Sequence, residues 1–384
     1  MKLSPRATSV PHSPIGAATA RLDDRTDPRP LVNLSQAAPA FAPPPEVTAR
    51  LAEVAGEDDS ARYMPQPGLP SLRDAVATDL SAAYGAEVSS EDILITSGCN
   101  QAFCVTISAL AGPGDNVALV LPYYFNHDMW LQLEGVEARH CRPTDGMVPT
   151  VEDLEPLIDV ATRAVVIVTP GNPSGAVVGP DRLREIADLT RRHDTALVID
   201  ETYRSYRGTD APAHDLFADA DWSDHVISLH SFSKDLAIPG YRVGAVVAGQ
   251  AVIGEALKIF DCVAICTSSI GQHAAEAGLR HSGAWRREQA GRILELQHTF
   301  VAMMNERPSG YELVSAGAYF GWVRHPFVDE STESVVQRLV IDHGVLCIPG
   351  TAFTPTDERM IRMSFANMEP DDIVVLRDRL EEST

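Results

Sequence analysis

Between residues 93 and 247 the chain returns again and again to short apolar runs: Ile93–Thr96, Val117–Leu121, Ala164–Thr169, Ala196–Ile199, Val226–Leu229 and Val243–Val247. None of them alternates polar with apolar residues. A strand with one wet face shows a period of two, so these runs predict strands covered on both faces. Segments with helical patterning lie between or ahead of them: Glu46–Val54, Leu69–Tyr84, Asn100–Leu110, Phe125–Leu133 and Pro180–Arg191. Parallel strands need crossover connections, and these helices supply them. The expectation is an α/β protein with a mostly parallel sheet flanked by helices.

The two ends have a different texture. The first 45 residues are rich in Pro, Ala and Ser and close on Pro43, Pro44 and Pro45, which predicts an irregular arm ordered only by docking. After about residue 282 come a long polar amphipathic segment (Ala284–Asn305), a strand-like Tyr319–Val323, a helix near Ser334–Asp342 and a closing helix from Asp371. A chain of 384 residues exceeds one simple core. The reading is a large domain over 46–282 and a smaller α+β domain made of 283–384 with the arm 1–45.

Charge narrows the function. Lys plus Arg number 31 against 53 Asp plus Glu, a net charge of −22, and no basic run occurs. That argues against nucleic acid and anionic membrane surfaces as partners. The apolar runs are far shorter than the roughly 20 residues of a membrane span, and Pro11 to Pro14 interrupt any signal-like segment. A cytoplasmic protein is expected. The six cysteines (Cys99, Cys104, Cys141, Cys262, Cys266, Cys347) form no recurring CxxC pair, so they read as small buried apolar side chains rather than a disulfide frame or metal site.

In an open α/β sheet ligands gather beyond the carboxyl ends of the strands, so the residues after each run matter most. Ser97-Gly98-Cys99-Asn100 is either a plain helix cap or a small-residue turn whose free N–H groups hold a phosphate. Pro170-Gly171-Asn172-Pro173-Ser174-Gly175 is either a structural turn or a means of presenting Asn172. Asp200, in Asp200-Glu201-Thr202-Tyr203, is either a satisfied helix cap or a partly buried carboxylate awaiting a cation. His230-Ser231-Phe232-Ser233-Lys234, with Arg242 eight residues on, puts a lysine at a strand end. It is either a solvated charge or an amine with a lowered pKa suited to imine chemistry. An Asp for a ring nitrogen, a Lys for an imine, an Asn and a Tyr for a phenolate oxygen, and Ser with Arg for a phosphate are together what pyridoxal phosphate requires.

With those motifs, and the late Arg362-Met363-Ser364-Phe365, the chain resembles the class I/II aminotransferases of fold type I, from about Leu34 to the C-terminus. The resemblance implies pyridoxal 5'-phosphate as cofactor. Lys234 would form the internal aldimine and then carry the proton between substrate and cofactor. Asp200 would keep the pyridine nitrogen protonated, while Asn172 and Tyr203 bond the 3' oxygen. Ser231, Ser233 and Arg242, with the backbone of Gly98, Cys99 and Asn100, would cradle the phosphate. Tyr124 matches the ring that stacks on the pyridine, and otherwise reads as a core aromatic. Arg362 would grip the substrate α-carboxylate. Tyr63 matches a tyrosine that reaches the phosphate of the neighbouring subunit, and Ser268 could contribute in the same way, which implies a homodimer with shared sites.

Two departures bear on specificity. Ala37 stands in Leu34-Ser35-Gln36-Ala37-Ala38-Pro39 where the family often has Gly whose amide approaches the substrate carboxylate, so a methyl group there either narrows the pocket or shifts the arm. Lys258–Cys266, in a segment that can lend an arginine to the partner's substrate pocket in aspartate-type members, contains no Arg. A site without that cation favours a neutral or apolar L-amino acid as donor, with a 2-oxo acid as acceptor and a ping-pong course. Asn126 and His127 read as an exposed helix face rather than specificity residues. The alternatives are a lyase, decarboxylase or oxidase on the same fold, and a non-catalytic cofactor-binding effector domain.

Overall fold

The computed structural model describes residues 1–384. Seven strands form the central sheet in the order Ile93–Thr96, Gly244–Val247, Val226–Ser231, Ala196–Asp200, Thr162–Val168, Asn116–Val120, Glu137–Cys141. All run parallel except Gly244–Val247, which is antiparallel to both neighbours. Both faces are covered, as the absence of alternation requires. Val165 and Ile167 pack with Leu197 and Ile199 on one side, and Val166 packs with Val198 and Leu229 on the other. Each such side chain contributes about 1.5–3 kcal/mol of burial. Glu137–Cys141 was not among the apolar runs because it is an edge strand, half exposed and polar in sequence.

Helix ends follow local chemistry. Pro70 and Pro180 occupy first turns, where a missing N–H costs nothing. Gly85, Gly135 and Gly344 close Pro70–Tyr84, Phe125–Glu134 and Thr332–His343 at positive φ. Arg191 and Arg192 end Pro180–Arg192 against its dipole. Gln250–Val263 and Ser269–His281 are two further helices, and no helix is long and apolar enough to cross a membrane.

A second sheet, antiparallel, runs Ile348–Pro349, Met360–Ser364, Phe320–Arg324, Glu312–Gly317. The arm is more regular than its composition suggested, because Pro at the first turn starts two short helices, Pro5–Ser9 and Pro14–Ala20. It docks on its own chain. Val32–Asn33 pairs in parallel with Val345–Leu346, the N–H groups of Thr26 and Asp27 donate to the Ile341 carbonyl at 3.0 Å, and Leu34 is buried beside Phe300 and Met363. Of the cysteines, which are all free, Cys99, Cys141 and Cys347 are buried; Cys262 is exposed and Cys104 and Cys266 are half-buried, since they lie on outward positions of helices or in the turn after one.

Candidate active site

Asp200 is the last residue of its strand, and Ser231 the last of the next one. The Ser231 hydroxyl caps the one-turn helix Phe232–Asp235 by accepting from the Ser233 N–H at 3.3 Å, and Lys234 rides on that turn. Gly98 precedes the helix Cys99–Leu110 at φ +90°, where a Cβ would come within 2.3 Å of Arg242 Nη2. The small residue is what lets that guanidinium close over the helix start.

These strand ends open into a cavity of about 370 Å³. Ala37, Cys99, Asn100, Tyr124, Asn172, Asp200, Tyr203, Ser231, Ser233, Lys234, Arg242 and Arg362 all line it. Gly98 stands behind Arg242 rather than in the wall. Tyr63 is outside it and 78 % exposed, and Ser268 is likewise exposed.

Lys234 is half-buried, and its ammonium donates to the main-chain oxygen of Ala37. Burial, reinforced by Arg362 and Arg242, pulls its pKa down to about 7. A neutral amine is therefore available near physiological pH. Asp200 has the opposite bias. Burial would raise its carboxyl, but the His127 ring, with Nε2 3.4 Å from Oδ2, and the Thr202 N–H, 3.0 Å from Oδ1, hold it below the ordinary carboxylate range. An anionic carboxylate at the cavity floor results.

Arg362 is 2 % exposed. It donates to Asn172 Oδ1 at 3.1 Å and to the Ser35 carbonyl, while its Nε has no partner. Phe320 and Phe353 lie under its guanidinium at 5.3 and 5.1 Å, and burial lowers its pKa to about 10. Arg242 reaches Ser233 Oγ at 3.5 Å. Tyr124 donates to Asn100 Oδ1 at 3.2 Å and accepts from Asn126 Nδ2 at 3.0 Å.

The structure corrects one reading. His127 is buried, not part of an exposed helix face, and Asn126 is half-buried. The first turn of Phe125–Glu134 lies over the strand ends, so His127 turns inward and stacks on Phe103 with ring centroids 3.8 Å apart. Six further residues line the cavity, Gln36, Phe125, Val168, Thr202, Pro239 and Ile15, the last delivered by the arm. A polar helix start after a strand-end tyrosine was the available hint for His127.

The family described as Aminotransferase class I and II matches residues 29–380. The chain belongs to that family. As an aminotransferase it is 29 % identical over 348 residues to the aromatic aminotransferase ISS1 of Arabidopsis thaliana, covering 88 % of this chain and 86 % of that one. It is 28 % identical over 394 residues to a probable aspartate/prephenate aminotransferase of Thermus aquaticus, covering 96 % and 95 %. Its fold superposes on a Thermus thermophilus aspartate aminotransferase with TM-score 0.91 at 24 % identity over 100 % of both chains.

Members of this family depend on pyridoxal phosphate. The residues of this aminotransferase fit that group on physical grounds. A half-buried lysine with a lowered pKa, a buried carboxylate kept ionised, and a glycine-backed arginine at a helix N-terminus are of the kinds that would suit an aldehyde, a ring nitrogen and a phosphate respectively.

Proposed function

We propose that this chain moves an amino group from a neutral or apolar L-amino acid to a 2-oxo acid, with pyridoxal phosphate, by a ping-pong course. The observation that carries it is one cavity uniting Lys234, Asp200 and Arg362. When bound, the cofactor supplies an exchangeable carbonyl and a ring that accepts electrons from the substrate α-carbon.

The residues divide the work. Ser231, Ser233, Arg242 and the N–H groups after Gly98, at Cys99 and Asn100, hold the phosphate. Asp200, steadied by His127, would keep a proton on the ring nitrogen, and Tyr124 would lie against the ring. Asn172 and Tyr203 bond the ring oxygen. Lys234, about half of it neutral near pH 7, would accept the proton from the substrate α-carbon and hold it for return on the far side of the substrate nitrogen. Arg362 pairs with the α-carboxylate in fork geometry, with Ala37 bounding the space beside it.

The preference for a neutral or apolar donor rests on charge. Within this chain the cavity holds three basic side chains, Lys234, Arg242 and Arg362, and each already has a task, whereas Ile15 and Phe125 add apolar wall. A second carboxylate on the donor would find no counter-charge here. Tyr63 and Ser268, exposed and outside their own cavity, fit contribution to the site of a second copy in a homodimer.

Two-substrate initial rates test the scheme. Parallel double-reciprocal lines and a kcat/KM for leucine or phenylalanine above that for aspartate are expected. Intersecting lines contradict the ping-pong course, and a preference for aspartate contradicts the charge argument.

A further inference from the structure

The residues that fix the main chain at Lys234 also wall a second cavity. The Tyr206 hydroxyl donates to the Lys234 carbonyl oxygen at 3.0 Å and accepts from the Tyr319 hydroxyl at 3.2 Å. The neighbouring Asp235 carboxylate is held by the Ser205 hydroxyl at 2.7 Å and by Arg286 Nη2 at 3.1 Å. Arg286 and Arg204 in turn share Asp79, at 2.6 and 2.8 Å. Ser205, Tyr206, Arg204 and Arg286 line, with the helix Gly283–Asn305, a cavity of about 610 Å³ that has no lining residue in common with the one holding Lys234.

Its walls are of two kinds. Four arginines (Arg204, Arg207, Arg286, Arg287) stand against two aspartates, Asp79 and the exposed Asp210. In a chain of net charge −22 that is a local reversal of sign. Asp79 is already shared by Arg204 and Arg286. Arg207, half-buried, donates only to the main-chain carbonyls of Arg204, Pro212 and Ala211 and forms no ion pair, the Glu201 carboxylate acting on it only at longer range. A guanidinium withdrawn from water without a counter-ion is costly, and a planar carboxylate matches its fork. Leu279, Ile293 and Leu294 supply apolar surface opposite.

We propose that this cavity binds a second small molecule, a monocarboxylate with an apolar body, and that its occupancy acts on Lys234. The carboxylate pairs with Arg207 and competes with Asp235 for Arg286, which loosens the hold on the turn that carries Lys234. Binding here is independent of the function proposed above; the effect on Lys234 rests on it, and the two are read separately.

Gly291 provides a clean probe, because it lines the cavity and a Cβ there meets nothing within 4 Å. Calorimetric titration of the holoenzyme with 3-phenylpropionate is expected to give two sites per chain. Gly291→Leu and Arg207→Gln each lose one of them, whereas Arg362→Leu loses the other. A single site in the unaltered enzyme, or a second site indifferent to both Gly291→Leu and Arg207→Gln, would overturn the assignment. With the probe saturating, the pH midpoint of the bound cofactor's absorbance is expected to differ between the unaltered enzyme and Gly291→Leu. Identical midpoints would overturn the coupling even if both sites bind.

Discussion

His127 Nε2 stands 3.4 Å from Asp200 Oδ2, with both side chains buried at the carboxyl end of the sheet. The ring is stacked on Phe103, so it cannot swing away without opening the core. Together with the Thr202 N–H it offsets the burial that would otherwise favour a neutral Asp200. His127→Leu removes one close polar partner of a charged group, worth up to about 1.5–3 kcal/mol, or at most roughly 10- to 150-fold. The expected outcome is a fall of that order in kcat with cofactor still bound, checked by steady-state rates alongside the cofactor's absorbance. Unchanged kcat would mean that Asp200 does not depend on this ring.

Lys234 gives a pH signature. Its pKa is lowered to about 7, so the apoenzyme gains neutral amine as pH rises towards that value and little more above it. The rate at which pyridoxal phosphate is taken up should climb by about tenfold per unit below the midpoint and level off near pH 7, well short of the usual lysine value of about 10.4. Stopped-flow absorbance measures it. Stability follows the same shift with the sign fixed by linkage. Between about 7 and 10.4 the unfolded chain binds more protons at this site, so the contribution of Lys234 to apoenzyme stability rises with pH across that window. Lys234→Ala should lower turnover by about 10²- to 10⁴-fold or more.

Arg362 has an unpaired Nε and two partners that an incoming carboxylate would join, Asn172 and the Ser35 carbonyl. Arg362→Ala is expected to lower kcat/KM for the amino donor by on the order of 100-fold, mostly through KM, while the cofactor's spectrum stays intact. Arg362→Lys should recover little, since an ammonium lacks the fork. Loss of cofactor instead of substrate affinity would move Arg362 out of this role.

Gly98→Ala tests the phosphate cradle. At φ +90° any side chain is strained, and the added Cβ would sit 2.3 Å from Arg242 Nη2, displacing that guanidinium. Loss of one charge-assisted hydrogen bond from that guanidinium, about 1.5–3 kcal/mol, translates to roughly a 10- to 150-fold weaker hold on pyridoxal phosphate. Equilibrium dialysis checks the affinity, and an unaltered dissociation constant would contradict the geometry.

Much of this architecture is legible in the chain because its central strands are buried on both faces. Val165 and Val166 go to opposite sides and are equally apolar, so the run announces itself, and a polar residue at its end, such as Asp200, stands out. Where that contrast fails, so does the reading. Glu137–Cys141 is polar because it is an edge, and nothing in its composition distinguishes it from a loop. His127 looks like any histidine on a polar helix until the tertiary fold lays its first turn over the strand ends. Ile15 enters the cavity only through long-range docking of the arm, where Ala18 packs with Phe125 and Trp322. Short-range pattern carries no record of such contacts.

In transamination an amino acid alone carries the enzyme through half of its cycle. The decisive measurement is an anaerobic absorbance titration of the holoenzyme with single amino acids, no 2-oxo acid being present. A neutral or apolar donor is expected to convert the bound pyridoxal phosphate stoichiometrically to its pyridoxamine form, and a 2-oxo acid then to restore the starting spectrum. A spectrum that persists while product accumulates, or a change reversed only by oxygen, would contradict transamination and assign the same fold to a lyase or an oxidase.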